Sequence, residues 1–123
     1  MKIAVAGTGY VGLVSGVCLA EMGHEVVCVD TDQQKIQSMK KGISPIYEDG
    51  LEEMMRRNYR EGRVDYTTDY AAAYRDARVI FIGVGTPEQS DGSAVFSYVT
   101  QAARQIAESV ENDCLVVIKS TDP

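Results

Sequence analysis

The first thirty residues constrain the fold more than any other stretch of the chain. Residues 2–6 (KIAVA) form an apolar run of strand length, and Gly7-Thr8-Gly9-Tyr10-Val11-Gly12 follows without a spacer. Leu13 to Met22 reads as a helix, and Glu25 to Asp30 (EVVCVD) as a second strand closed by an acid. A strand, a glycine-rich turn, a helix and another strand form a βαβ unit. Its two strands must run parallel, because the helix carries the chain back across the sheet.

Each residue type in that unit has a physical task. Gly7 lets the chain turn sharply out of the strand. Gly9 lacks a side chain, so a pyrophosphate can approach the backbone there. Gly12 lets the helix pack close to the sheet, and Gly16 extends that bare face one turn on. The free N–H groups of the first helical turn, with the helix dipole behind them, favour an anion. Asp30 follows Gly12 at the spacing of a ribose-binding acid, and its carboxylate can accept from ribose hydroxyls. The same charge repels a 2′-phosphate, and Asp32 adds to the repulsion, so the expected cofactor is NAD rather than NADP. Residues 3–20 carry no charge, which would also suit a membrane span or a leader peptide. Four glycines, Thr8 and Ser15 interrupt that run, and no small-residue cleavage site appears, so the βαβ reading is preferred.

Bulk properties narrow the partners. The 123 residues are enough for one domain with a true core. An apolar share of 45% and a charged share of 24% are ordinary for a globular protein. The net charge of −6 argues against nucleic acid as a partner. Arg56, Arg57, Arg60 and Arg63 form a local basic run, but acids surround it, and a solvated helix face is the simpler reading. Cys18, Cys28 and Cys114 are widely spaced and lie in apolar stretches. They are expected to be small buried hydrophobes in a reducing, cytoplasmic setting. His24 stands alone in a turn, so neither a catalytic histidine nor a zinc site is expected, and no metal is assigned.

The remaining chain alternates helices and strands. Thr31-Asp32 can cap a helix from about Gln33 to Lys41, ended by Gly42, with Ile36 and Met39 inward. Lys35 lies in its first turn, near Asp30, and spacing alone does not separate a cofactor contact from a surface lysine. Leu51, Met54, Met55 and Tyr59 recur at helical spacing and are read as core, with Gly62 ending the helix. Arg63 to Thr67 is a short strand, and Asp69 caps a small alanine-rich helix through Tyr74. Arg78 to Val84 is almost wholly apolar, as a strand covered on both faces should be. Gly85-Thr86-Pro87 breaks it, and Glu88 to Ser93 is a polar loop. Ser97 is a plausible N-cap for a helix whose inner face is Tyr98, Val99, Ala102, Ala103, Ile106, Ala107 and Val110. Cys114 to Lys119 is the fifth strand. Right-handed crossovers make this an α/β, Rossmann-type, doubly wound parallel sheet, strand order 3-2-1-4-5, with helices on both faces. Ligands bind such sheets at the carboxyl ends of the strands. Gly7–Gly12, Gly85–Pro87 and Ser120–Pro123 meet there, and Thr86 and Thr121 are expected to line the site.

Several stretches together resemble the amino-terminal domain of the UDP-glucose 6-dehydrogenase family. They are Gly7 to Leu13, Val29-Asp30-Thr31-Asp32 with Lys35-Ile36, Pro45-Ile46-Tyr47-Glu48 before Gly50-Leu51-Glu52, Val84 to Pro87, Asp91-Gly92, and Lys119-Ser120-Thr121. The set spans the chain in the family's order and is shared with dehydrogenases of GDP-mannose and UDP-N-acetylmannosamine. The resemblance implies oxidation of a sugar 6-hydroxyl to the acid with two NAD, through a covalent thiohemiacetal on a cysteine. It implies NAD contacts at Val11, Asp30, Lys35, Thr86 and Thr121, and a water-positioning role for Thr121; Gly7, Gly9, Tyr10 and Gly12 of the turn are expected to bind the cofactor with them. Asp49, Val95 and Asp122 depart from the family's usual proline, acid and apolar residue. The family's nucleophilic cysteine, its oxyanion-binding lysine and asparagine, its sugar-nucleotide domain and its dimerisation helix all lie beyond position 123.

The resemblance therefore implies a single NAD-binding domain, residues 1–123, of a longer homodimeric enzyme. Such a piece would bind NAD and not turn over. It would meet a nucleotide-sugar only through the absent domain, and have no nucleic-acid or membrane partner. A free-standing nucleotide-binding module is the competing reading. A short-chain reductase is disfavoured, because no tyrosine here has a lysine four residues on.

Overall fold

The computed structural model describes residues 1–84 and 92–120, the side chains of 92, 93 and 120 excepted. Five strands, β1 (Lys2–Ala6), β2 (Glu25–Val29), β3 (Val64–Thr67), β4 (Val79–Val84) and β5 (Leu115–Ser120), form one sheet ordered β3-β2-β1-β4-β5. Each neighbouring pair is parallel. The expected fold class and strand order are thus the observed ones.

Strand side chains alternate between two cores, as the two-residue period requires. Ile3, Val5, Val26 and Cys28 point to one face, while Ala4, Ala6, Ile80 and Ile82 point to the other. The first face is covered by α1 (Tyr10–Glu21), α2 (Gln33–Lys40) and α3 (Leu51–Arg60), which contribute Leu13, Val17, Ile36, Met39, Leu51 and Met55. The second is covered by α4 (Tyr70–Arg75) and α5 (Gly92–Ser109), through Ala73, Tyr74, Ala102 and Ile106.

Local signals set the helix ends. Asp32 accepts from the Gln34 and Lys35 amides, and Asp69 from the Ala72 amide, satisfying donors that the first turn leaves open. Gly42 and Gly62 end their helices at φ +82° and +77°, backbone that a side chain would strain. The basic run is a salt-bridged face: Arg56 pairs with Glu52 at 3.5 Å and Arg57 with Glu21 at 2.9 Å. Beneath it, fully buried Asn58 donates to Glu21 and to the Met54 carbonyl and accepts from Arg63, so each of its polar atoms is partnered.

Four expectations need correction. α1 starts at Tyr10, not Leu13, because its first turn is built from the glycine motif itself. α5 begins at Gly92, so Ser97 is an interior residue and not the N-cap. Ala103 and Ala107 are exposed, since the inner stripe of α5 runs through Val95, Val99, Ala102 and Ile106. Tyr59 lies at the edge of the core, 37% exposed, with its ring stacked 6.0 Å from that of Tyr66. The cysteines also divide. Cys28 is buried and its thiol is pushed up to about 12 by burial, whereas Cys18 is exposed on the outer side of α1.

Tyr66 is completely buried, and among the described residues its hydroxyl has no hydrogen-bond partner. An unmet buried hydroxyl costs about 1–3 kcal/mol. Tyr66→Phe removes the hydroxyl and keeps the ring. The variant is expected to be more stable by ~1 kcal/mol, read as a higher urea midpoint with an unchanged slope. A lower midpoint would mean that the hydroxyl is satisfied in solution.

Candidate functional site

The site is built where β1 gives way to α1. Gly7 takes φ +96° and donates to the Val29 carbonyl at 2.8 Å, which bends the chain sharply across the end of β2. Gly9 is the N-cap of α1, and among the described residues no side chain caps this end. The first intrahelical bond is Leu13 to Gly9, at 2.9 Å. The amides of the turn before it are left for an external acceptor. Among the described residues, a Cβ placed on Gly9 would have no atom within 4 Å, so they leave the space before this helix end open. A Cβ on Gly12 would instead lie 2.2 Å from the Gly7 carbonyl oxygen. The two glycines therefore do different work: one leaves room for a ligand, the other lets helix and turn touch.

Gly83 of β4 belongs to the same contact, its Cβ position lying 2.9 Å from the Gly12 nitrogen. Sequence reading passed over Gly83. The available signal was a glycine inside an apolar strand, which marks close backbone approach.

Asp30 stands beside this turn at the end of β2, with 14% of its side chain exposed. Its Oδ2 accepts from the Thr8 hydroxyl, from the Thr8 amide at 3.3 Å and from Lys35 Nζ at 3.2 Å. Its Oδ1 accepts from the Asp32 amide at 3.0 Å. Burial pushes the carboxyl upward, but the Thr8 hydroxyl, the Asp32 amide and the Lys35 ammonium outweigh it and hold the group below its ordinary range. The carboxylate is thus charged at neutral pH. The stability these contacts contribute is present above the unfolded aspartate value of about 3.9 and is lost as pH falls through the lowered folded value. Thr8 is 1% exposed and serves Asp30 rather than solvent, a role not visible from its place inside the glycine motif.

Two clefts flank this cluster. One, of about 320 Å³, lies over the turn and is bounded by Gly7, Thr8, Gly9, Val84 and Val95. The other, of about 190 Å³, lies on the far side of Asp30 against Thr31, Thr68, Tyr70 and Gln101. Asp30 and Tyr98 border both. An uncapped helix end in the first cleft suits a pyrophosphate, a shared carboxylate suits a ribose, and the aromatic-lined second cleft suits a base. The open cradle at Gly9 and the free valences of Asp30 Oδ1 fit a dinucleotide.

Of the expected site residues, Gly7, Gly9, Tyr10, Val11, Gly12, Asp30 and Lys35 are brought together at this end of the sheet. Tyr10 is half exposed, and its phenol is raised by the neighbouring Glu48 carboxylate. Thr86, Thr121 and Asp122 lie outside the described residues. None of the three cysteines is at the site. Cys18 is nine residues along α1 from Gly9, about 13 Å toward the other end of the sheet.

Comparison with known proteins places this fold in a family. Residues 1–123 match the UDP-glucose/GDP-mannose dehydrogenase family, NAD binding domain. The chain is 54% identical to the UDP-glucose 6-dehydrogenase YwqF of Bacillus subtilis and 51% identical to a UDP-glucose 6-dehydrogenase of Rhizobium meliloti. In each case the match covers 100% of this chain and 28% of the relative. Among solved structures, a GDP-mannose dehydrogenase from Pseudomonas aeruginosa superposes with a TM-score of 0.88 at 38% identity, over 99% of this chain and 29% of that one. A UDP-glucose dehydrogenase from Pyrobaculum islandicum gives 0.85 at 39%, over 98% and 29%. The chain thus spans just over a quarter of the relatives it matches, and it belongs to the UDP-glucose/GDP-mannose dehydrogenase family as an NAD-binding domain.

Proposed function

We propose that this domain is the NAD-holding part of a UDP-glucose 6-dehydrogenase, a longer homodimeric enzyme that oxidises UDP-glucose to UDP-glucuronate with two NAD, and that the 123 residues alone bind NAD without turnover. The observation that carries the reading is the Asp30 carboxylate, held charged by Thr8 and Lys35 beside an uncapped, glycine-lined helix end. NAD, when bound, supplies the hydride acceptor. In this reading the turn amides of α1 hold the pyrophosphate, Gly9 gives it room, and Asp30 accepts from the adenosine ribose. Lys35 orients that carboxylate, and Tyr10 and Val11 lie alongside the phosphates. Thr86 and Thr121 are assigned to the nicotinamide end, with Thr121 positioning a water.

The nucleophilic cysteine and the sugar-reading residues are assigned to chain outside this domain. Two observations support that. The relatives are far longer. The edge strand β5 also leaves Leu115, Val116 and Ile118 between 43% and 62% exposed, an apolar edge of the kind proteins normally cover. Identity favours UDP-glucose as the substrate, and the close superposition on a GDP-mannose dehydrogenase makes GDP-mannose the alternative to assay beside it.

Calorimetric titration with NAD and NADP tests the cofactor assignment. Two carboxylates against one ammonium at the ribose predict at least a tenfold preference for NAD. Asp30→Ala should weaken NAD by roughly ten- to a hundredfold, the worth of a hydrogen bond to a charged group, and narrow the preference. Equal binding of NADP by the parent domain would overturn the role of Asp30. An NADH absorbance assay with UDP-glucose and GDP-mannose tests the rest. Sustained turnover by these 123 residues would place the catalytic groups inside this domain after all.

A further inference from the structure

Tyr98 was read from the sequence as one apolar position on the inner face of α5. Its surroundings give it more to do. It is 37% exposed, and its hydroxyl donates to the carbonyl of Ala6 at 2.9 Å, 92 residues away in sequence. Ala6 is the last residue of β1, and its carbonyl belongs to the peptide that leads into Gly7. A Cβ on Gly7 would lie 2.2 Å from the Tyr98 hydroxyl oxygen and 3.4 Å from the ring carbon bearing it. The phenol is therefore seated against the one peptide whose rotation would swing the whole glycine turn. The ring also borders both clefts, so it stands between the phosphate side and the base side of Asp30.

On the reading of the site as an NAD site, we propose that Tyr98 is a positioning residue for the dinucleotide, holding the Ala6–Gly7 peptide so that the turn amides face the pyrophosphate before it arrives. The physical case is preorganisation. Gly7 has no side chain and sits at φ +96°, so the orientation of the peptide before it rests on that peptide's hydrogen bonds. The donor of this same Ala6–Gly7 peptide, the Gly7 N–H, is anchored to the Val29 carbonyl, and the Tyr98 bond is what anchors its acceptor. The Tyr98 hydroxyl does so from a helix on the opposite face of the sheet from α1. Without that bond the turn divides its time among orientations, and the apparent dissociation constant rises by the inverse of the competent fraction. Adenosine does not use the turn. It needs Asp30 and the ring wall of the second cleft, both of which phenylalanine at position 98 would keep.

The test compares parent and Tyr98→Phe domains, titrated with NAD and with adenosine, alongside thermal melting. NAD affinity should fall about three- to tenfold, the worth of one hydrogen bond. Adenosine affinity should stay within twofold and the melting temperature within a few degrees. Unchanged NAD affinity would overturn the proposal. So would a parallel loss for NAD and adenosine, which signals general loosening and not a positioned turn. Tyr98→Leu gives a second reading: it removes both hydroxyl and ring wall, and should weaken adenosine as well as NAD, whereas an unaffected adenosine affinity would remove Tyr98 from the cleft. A parent domain that binds adenosine but not NAD would instead overturn the NAD reading, and the Tyr98 proposal with it.

Discussion

Gly9→Val is expected to leave the domain folded and to abolish measurable NAD binding. The position sits at φ −73°, ψ −170°, extended backbone that valine adopts readily. The open space around its Cβ position means that the described residues offer no clash. Exchanging glycine, a fair N-cap, for valine, a poor one, costs only about 1 kcal/mol. The space that valine fills is the space before the uncapped helix end. A pyrophosphate pushed out of it loses charge-assisted bonds worth about 1.5–3 kcal/mol each, so the loss of two lowers affinity by more than a hundredfold. Circular dichroism and calorimetry on the same sample give both halves of the result. Normal NAD binding by a folded Gly9→Val domain would show that the phosphates lie elsewhere.

Gly12→Ala should do the reverse and strike the fold first. Helix propensity alone favours alanine over glycine inside a helix by roughly 0.5–1 kcal/mol. Packing opposes it. The added methyl would lie 2.2 Å from the Gly7 carbonyl oxygen and 3.3 Å from Val5 Cγ1, and the nearer atom is backbone, held by the Gly7 to Val29 bond. Relief requires α1 to lift from β1 and from Gly83 of β4, across the centre of the sheet. Overpacking of that kind costs typically 1–3 kcal/mol and more where backbone must move, so packing wins. The expected outcome is a loss of at least ~2 kcal/mol, seen as a melting temperature lower by roughly 8 °C or more. A domain as stable as its parent would show that helix and turn are not in contact.

These two glycines show what the residues reveal before any coordinates. The motif Gly7-Thr8-Gly9-Tyr10-Val11-Gly12, the apolar strands and the acid at position 30 settle the parallel sheet and its strand order, and they point to the end of the sheet where the site is proposed. The reason is that these are local and periodic properties. A strand buried on both faces is apolar throughout, a helix end needs its cap, and a parallel crossover has one hand. Caps at Asp32 and Asp69 and stops at Gly42 and Gly62 were legible for the same reason.

The sequence could not say which partner each side chain finds across the fold. Thr8 turned inward to Asp30, and Lys35 joined them, because the end of β2 lies beside the glycine turn only once β1 and β2 pair. Gly83 meets Gly12 because β4 pairs with β1 on its other side. Tyr98 reaches Ala6 from 92 residues away, and nothing in the spacing around it separates that hydroxyl from an ordinary core aromatic. Cys18 sits in an apolar stretch yet faces outward, because α1 presents only one side to the sheet. Periodicity records which residues avoid water. Which groups then meet is decided by the packing of elements remote in sequence, and that is a property of the tertiary structure alone.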